Sequence, residues 1–209
     1  MIVASAFEKR IFTGLVLTAL FVASYLWLPP FFLTLLLLTI LGVILFVEWP
    51  RIGISALTPW YPILPFILLI VLNHSYKYRN LLPTIFIIAA AFDAGSYFAG
   101  TWMGKCKLAP RISPGKTWEG ALGGAILSLI ATLLLIPSLR VKHAWCAWFG
   151  IVLGIDVAAL LGDLFVSWLK RRAGVKDCSS ILPGHGGLLD RFDSILFVTL
   201  FLYCLRSYV

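Results

Sequence analysis

Apolar runs dominate this chain, at about residues 11–28, 31–47, 60–72, 81–103, 118–136, 144–169 and 192–208. Most approach the roughly 20 residues that a helix needs to cross a hydrocarbon core. Backbone in lipid must satisfy its own hydrogen bonds, so the expected fold is an all-α polytopic integral membrane protein of about seven transmembrane helices. A mean hydropathy of +0.98 and a charged fraction of 12% over 209 residues exclude an ordinary soluble domain, in which roughly 25% of residues are charged. The third run is short and holds Pro62 and Pro65, which makes it the least regular span. No small-residue cleavage pattern separates the first run from the second, so a cleavable leader is not expected. Cys106, Cys146, Cys178 and Cys204 lack the paired spacings of a zinc site or disulfide framework.

An odd number of spans puts the chain ends on opposite sides, and basic residues decide which end is cytoplasmic. Lys9, Arg10, Arg51, Lys105, Lys107, Arg111, Lys116, Lys170, Arg171, Arg172, Lys176 and Arg191 fall on the N-terminal side. Lys77, Arg79, Arg140, Lys142 and Arg206 fall on the other, and together they account for all 17 lysines and arginines. The N-terminus is therefore expected in the cytoplasm and Val209 outside. Anionic lipid of the inner leaflet is explanation enough for the formal charge of +8, and no nucleic-acid partner is expected. Two loops on the cytoplasmic side, 104–117 and 170–191, are richer than a connector needs, whereas the turn at 28–31 is a bare Pro-Pro reversal. No internal repeat or low-complexity linker is visible. Residues 1–209 are expected to form a single membrane domain, with N-terminal spans in 1–80 and a catalytic part in 81–209.

An ionised side chain deep in a membrane costs about 2.5–3.5 kcal/mol on insertion scales, so it needs a partner or a purpose. Asp93 lies in the fourth run, with Tyr97 and Gly100 on the same helical face at i+4 and i+7. Asp156 and Asp163 are seven apart in the sixth run, and Ser167 and Lys170 continue the face of Asp163 toward the loop. Each carboxylate has a bland alternative, a buried hydrogen bond to a neighbouring helix. From Asp163 onward, Asp177, Asp190 and Asp193 alternate with Lys170, Arg171, Lys176 and Arg191. Carboxylates that hold a hard cation such as Mg²⁺, interleaved with cations that hold phosphate oxygens, suit a phosphate ester. A solvated charged loop competes with this, but such a loop has little use for "PGHGG", where Gly184, Gly186 and Gly187 let backbone N–H groups approach a ligand.

The other loop contains "RISPGKTWEG". Its Gly-Lys-Thr is not a nucleotide P-loop, because the upstream glycine position holds Pro110 and no strand is expected before it. Ser113, Lys116 and Thr117 form instead an anion-binding turn at the start of the fifth span, or an ordinary helix cap, and the two can coexist. Gly120 with Gly124, and Gly150 with Gly154, have spacings that permit close helix contact, within the chain or between chains.

The stretch Ser167, Leu169, Lys170, Arg171, Lys176, Asp177, Ser179, Leu182, Pro183, His185, Gly186, Gly187, Leu188, Asp190, Arg191, Phe192, Asp193 resembles the complete signature of the phosphatidate cytidylyltransferases, also called CDP-diacylglycerol synthases. "SPGKTWEG" and "FDAGSYFAG" resemble further segments of that family, and Glu48-Trp49 resembles a pair after an early span. The resemblance runs from about residue 48 to 193 and is strongest after 93. It implies a Mg²⁺-dependent enzyme of the bacterial inner membrane, a homodimer that converts CTP and phosphatidic acid to CDP-diacylglycerol and pyrophosphate at the cytoplasmic face. The chain is shorter than family members, chiefly before Asp93, which leaves the span count and dimer surface open.

On this basis Asp163, Lys176, Asp190 and Asp193 are the catalytic candidates. Asp163 and Asp190 lead the metal ligands, supported by Asp177 and Asp193. Lys170, Arg171, Lys176 and Arg191 are expected to hold phosphates, with Ser113, Lys116 and Thr117 closing over them. Ser167, Gly186 and Gly187 complete the substrate-binding set, Asp93 and Tyr97 line a membrane-facing cavity, and His185 either contacts a phosphate or steadies the glycine turn. A secondary transporter for an anionic solute competes from another class, but would show two related halves with broken spans. A CTP-dependent polyprenol kinase is the nearer alternative.

Overall fold

The computed structural model describes residues 16, 18–139, 145–182 and 186–207. It is mostly helical. Of the first expected span, residues 18–26 (α1) are helical. Then follow α2 (Pro30–Ile52), α3 (Ser55–His74), α4 (Leu81–Met103), α5 (Trp118–Leu139), α6 (Trp145–Arg172) and α7 (Leu189–Leu205). Four stretches, Pro30–Ile52, Ser55–His74, Leu81–Met103 and Trp148–Arg172, are long and apolar enough to cross a membrane, and Trp118–Leu134 is a shorter apolar helix among the described residues. Large apolar side chains point outward, Phe46 at 84% exposure and Leu134 at 78%. Such surface needs lipid to cover it.

The chain divides into two compact units, residues 1–76 with 169–192 and residues 77–168 with 193–209. In the first, α2 buries Leu33, Leu37, Leu41 and Ile44 along one helical stripe and packs on α3. Asn73 Nδ2 donates to the Pro30 carbonyl at 2.7 Å, fastening the ends of the two helices. The prolines of α3 explain its irregular start. A π-turn covers Pro59–Ile63, Tyr61 leaves helical backbone there, and regular helix begins only at Leu64, with Pro65 in its first turn, where a missing N–H costs nothing. Trp49 is held by Thr58, whose hydroxyl accepts from the indole N–H at 2.7 Å.

The second unit rests on the contact of α4 with α5. A side-chain carbon on Gly95 would come within 2.6 Å of the Gly123 carbonyl oxygen and 2.9 Å of the Gly124 Cα. Backbone therefore meets backbone, and small residues are required. The spacing of Gly120 and Gly124 thus serves a contact within the chain, while Gly154 makes room for the Phe201 ring of α7. Asp156 adopts the bland alternative: its Oδ2 accepts from Ser128 Oγ of α5 at 2.7 Å.

One feature departs from the all-helical expectation. Between α4 and α5 the chain forms an antiparallel hairpin, β1 (Lys107–Ala109) and β2 (Ser113–Thr117). A segment leaving a helix at the rim of a membrane has amides to satisfy, and pairing them across a short hairpin does so locally. The strand missing from the sequence reading thus exists, yet Gly-Lys-Thr lies within β2 itself and not in a loop after a strand, so no P-loop forms.

Gly95→Ala should destabilise the protein by about 1–3 kcal/mol, the usual range for overpacking. Gly150→Ala, where nothing lies within 4 Å of the added carbon, should stay within about 0.5 kcal/mol of the parent. Unfolding in mixed micelles, followed by circular dichroism as denaturing detergent is added, checks the pair.

Candidate active site

In the second unit, α4, β2, α5 and α6 surround a cavity of about 390 Å³. Asp93, Ser96 and Tyr97 line it from α4, Ser113, Lys116 and Thr117 from β2, and Leu160 and Asp163 from α6. Gly100, Gly115 and Gly120 keep side chains out of it. Lys116 and Asp163 form an ion pair, each partly exposed, and Ser167 Oγ donates to Asp163 Oδ1 at 3.1 Å from one turn further along α6. Thr117 caps α5, its Oγ1 accepting from the Gly120 amide at 3.1 Å. Glu119 accepts from the Cys106 amide at 3.1 Å and 3.2 Å and ties down the start of the hairpin. The cavity therefore joins a carboxylate-ammonium pair to a helix N-terminus, a combination that receives anions.

In the first unit, the loop between α6 and α7 is organised by two carboxylates. Asp190 Oδ1 accepts from Lys170 Nζ at 2.6 Å and from the Cys178 thiol at 3.2 Å. Asp190 Oδ2 accepts from the amides of Cys178 at 3.0 Å and Gly187 at 2.8 Å. Burial, ahead of the neighbouring Asp190 carboxylate, pushes the Cys178 thiol well above the usual thiol range and keeps it a donor. Leu182 and Gly186 close the loop through an amide-to-carbonyl bond of 2.9 Å, and Gly186 turns at φ +83°, a conformation that favours glycine. The second carboxylate is Glu48, fully buried on α2. It accepts from Ser179 Oγ and from the amides of Leu188 and Leu189, each at 2.7 Å. A side-chain carbon on Gly187 would lie 2.5 Å from Glu48 Oε1, so glycine is required there.

Residues 50–209 match the family model described as the Cytidylyltransferase family. The chain belongs to the cytidylyltransferase family. It is 36% identical to the phosphatidate cytidylyltransferase of Rickettsia conorii over 96% of this chain and 91% of that protein. It is 47% identical to the phosphatidate cytidylyltransferase of Bacillus subtilis over 58% of this chain and 45% of that protein. The Haemophilus influenzae protein of the same name is 46% identical over 55% of this chain and 41% of its own length.

For this cytidylyltransferase-family chain, the structure gathers Asp93, Tyr97, Ser113, Lys116, Thr117 and Asp163 around the second unit's cavity. Lys170, Asp190, Gly187 and Cys178 meet in the first unit, where Asp177 also lies beside Gly186. Lys176, Asp177 and Arg191 are exposed, as is Arg171, whose guanidinium reaches the Val175 carbonyl at 3.5 Å. Asp193 is buried in the second unit and its Oδ1 accepts from the Ser194 amide at 2.8 Å. His185, with Pro183 and Gly184, lies outside the described residues. The sequence had shown Glu48 only as half of a resembling pair, two positions before the family match begins. A signal for it existed: no hydroxyl or carboxamide stands at Leu188 to cap α7, and a carboxylate directly follows the apolar run 31–47.

Mg²⁺ characteristically takes one or two carboxylates and completes its shell with water and substrate phosphates. Among the described residues no three of His, Cys, Asp and Glu form a metal-holding group. Asp163 and Asp190 each hold a lysine ammonium instead. The donor chemistry fits a cation that arrives with a polyphosphate, displacing those ammonium groups, and does not fit a cage built by protein alone.

Single-cysteine variants test the loop. A variant retaining Cys106, which is exposed, should react with maleimide in micelles. One retaining buried Cys178 should resist, and should gain little as the pH rises through about 8.5, the ordinary thiol value. Lys170→Ala should make Cys178 labelling at least several-fold faster.

Proposed function

We propose that this chain is a phosphatidate cytidylyltransferase, which converts CTP and phosphatidic acid to CDP-diacylglycerol and pyrophosphate. The observation that carries this reading is the cavity of Asp93, Lys116, Thr117 and Asp163 on membrane-length helices, in a chain similar along most of its length to enzymes of that name. A lipid substrate leaves hydrocarbon only at about 0.8 kcal/mol per CH₂, and a nucleoside triphosphate cannot enter it. The polar chemistry therefore belongs at the rim of apolar helices. About seven spans, a cytoplasmic N-terminus, an inner-membrane location with the active site facing the cytoplasm, and a homodimer complete the proposal.

A phosphate oxygen of phosphatidic acid attacks the α-phosphorus of CTP in line. The new P–O bond joins the two phosphates, the bond from the α-phosphorus to its bridging oxygen breaks, and pyrophosphate leaves with that electron pair. Such a transfer asks mainly for positioning and charge neutralisation. Lys116, at the α5 N-terminus with Ser113 and Thr117, neutralises phosphate oxygens; Lys170, Arg171, Lys176 and Arg191 do so from the other loop. Mg²⁺ when bound would supply neutralisation of the triphosphate, held by Asp163 and Asp190 and supported by Asp177 and Asp193. Asp93 and Tyr97 orient the lipid headgroup, with Ser167 steadying Asp163.

The purified chain in detergent, given labelled CTP, phosphatidic acid and Mg²⁺, should release pyrophosphate and form a CDP-lipid. Release of CDP with phosphorylation of a lipid alcohol would instead identify a kinase, and absence of turnover would remove the enzyme reading. Asp163→Ala and Asp190→Ala should each lower kcat by about a hundredfold or more while inserting normally; retained activity in either would remove that carboxylate from the metal set. Chelation should abolish turnover and added Mg²⁺ restore it.

A further inference from the structure

A helix N-terminus leaves amides without intrahelical acceptors, and a Ser, Thr, Asp or Asn at the cap position normally takes one of them. At the start of α7 that position is Leu188, whose carbonyl already accepts from the amides of Arg191 at 2.9 Å and Phe192 at 3.2 Å and whose side chain offers nothing. The acceptor comes instead from Glu48, 140 residues away. Its carboxylate reaches across to three donors, Ser179 on the α6 side of the loop and Leu188 and Leu189 on the α7 side. The residue sits at the end of a π-turn, Ile44–Glu48, where the extra residue per turn re-aims the side chains that follow. Its neighbours in the loop are fitted to it: Gly187 leaves room for its oxygen, and the Ile181 amide donates at 3.4 Å to the same Ser179 hydroxyl that binds it.

We infer that Glu48 is a positioning residue for the transfer reaction: held on α2, it fixes the distance between Ser179 and the start of α7 and thereby the direction in which Asp190 and Arg191 leave the first turn of α7. Asp190 cannot set that register alone, because its own acceptor positions are taken up within the loop by Lys170, Cys178 and Gly187. Glu48 is a carboxylate that ties this loop to α2. It touches no substrate, and its effect is exerted through the amides of Leu188 and Leu189.

The activity arm of the test rests on the proposed cytidylyl transfer, whereas its exchange arm does not. Glu48→Gln keeps the side-chain shape but places an N–H₂ where one acceptor stood. Hydrogen exchange in micelles should show the amides of Leu188 and Leu189 exchanging at least tenfold faster, with α2 and the rest of α7 unchanged. In the same preparation, normalised to folded protein, kcat should fall about tenfold to a hundredfold, as a displacement of about 1 Å at a reacting centre does, with KM for CTP changed much less. Ser179→Ala, a milder removal of one of the three donors, should give a smaller loss of the same kind, and the double variant should lose less than the two losses combined. Unchanged exchange at Leu188 and Leu189 would overturn the latch. Faster exchange with kcat per folded molecule unchanged would overturn its role in positioning. A parent protein without turnover would sink the cytidylyl-transfer reading, and the exchange arm would still decide the latch. Should Glu48→Gln fail to fold, Ser179→Ala carries both readouts.

Discussion

A carboxylate taken out of water needs hydrogen-bond donors in place of the water it has lost, because its burial would otherwise carry an uncompensated desolvation cost. That requirement selects which parts of this chain meet. Glu48 is enclosed by one hydroxyl and two amides, and Asp190 by one ammonium, one thiol and two amides. The loop following α6 is folded around these two acceptors. Gly186 and Gly187 are spacing elements there, required because backbone must come within hydrogen-bond reach of a carboxylate. In the second unit the same demand is met more sparingly. Asp163 takes Lys116 and Ser167 and keeps partial access to the cavity, while buried Asp156 takes a single hydroxyl on Oδ2 and its Oδ1 has no partner among the described residues.

Membrane helices gain little from hiding apolar surface from one another, since lipid serves that surface equally well. Close approach and polar contacts must do the joining. The glycine face of α4 and α5 and the backbone proximity of Gly162 on α6 to Asp193 on α7 are two instances among the described residues of the second unit. Both also place chemistry. The first brings Asp93 and Tyr97 opposite Thr117 across the cavity, and the second sets Asp193 beside the helix turn that carries Asp163.

Much of this was legible in the residues because apolar length and charge spacing are local properties. The limits of α4, Leu81–Met103, coincide with an apolar run, and Asp93, Tyr97, Ser113, Lys116, Thr117 and Asp163, singled out in three separate segments, share one cavity. The hairpin was not legible, because its eleven residues, 107–117, carry two prolines and no alternating apolar pattern. Nor was the pairing of Lys116 and Lys170: read as phosphate holders, they hold Asp163 and Asp190, and residue types alone do not say which negative charge an ammonium meets. Glu48 stayed hidden for a different reason. Its partners lie 131 to 141 positions further along, a separation that no periodicity reports.

That separation bears on how the polypeptide is made. The helix bearing Glu48 belongs to the most apolar of the four long stretches, so it can be threaded laterally from the translocation channel despite its acid group. Its three donors come only after a further stretch longer than half of the chain has been made. A product cut short before Ser179 would lack all three of those donors, and its unanswered acid would distinguish an unfinished chain from a finished one.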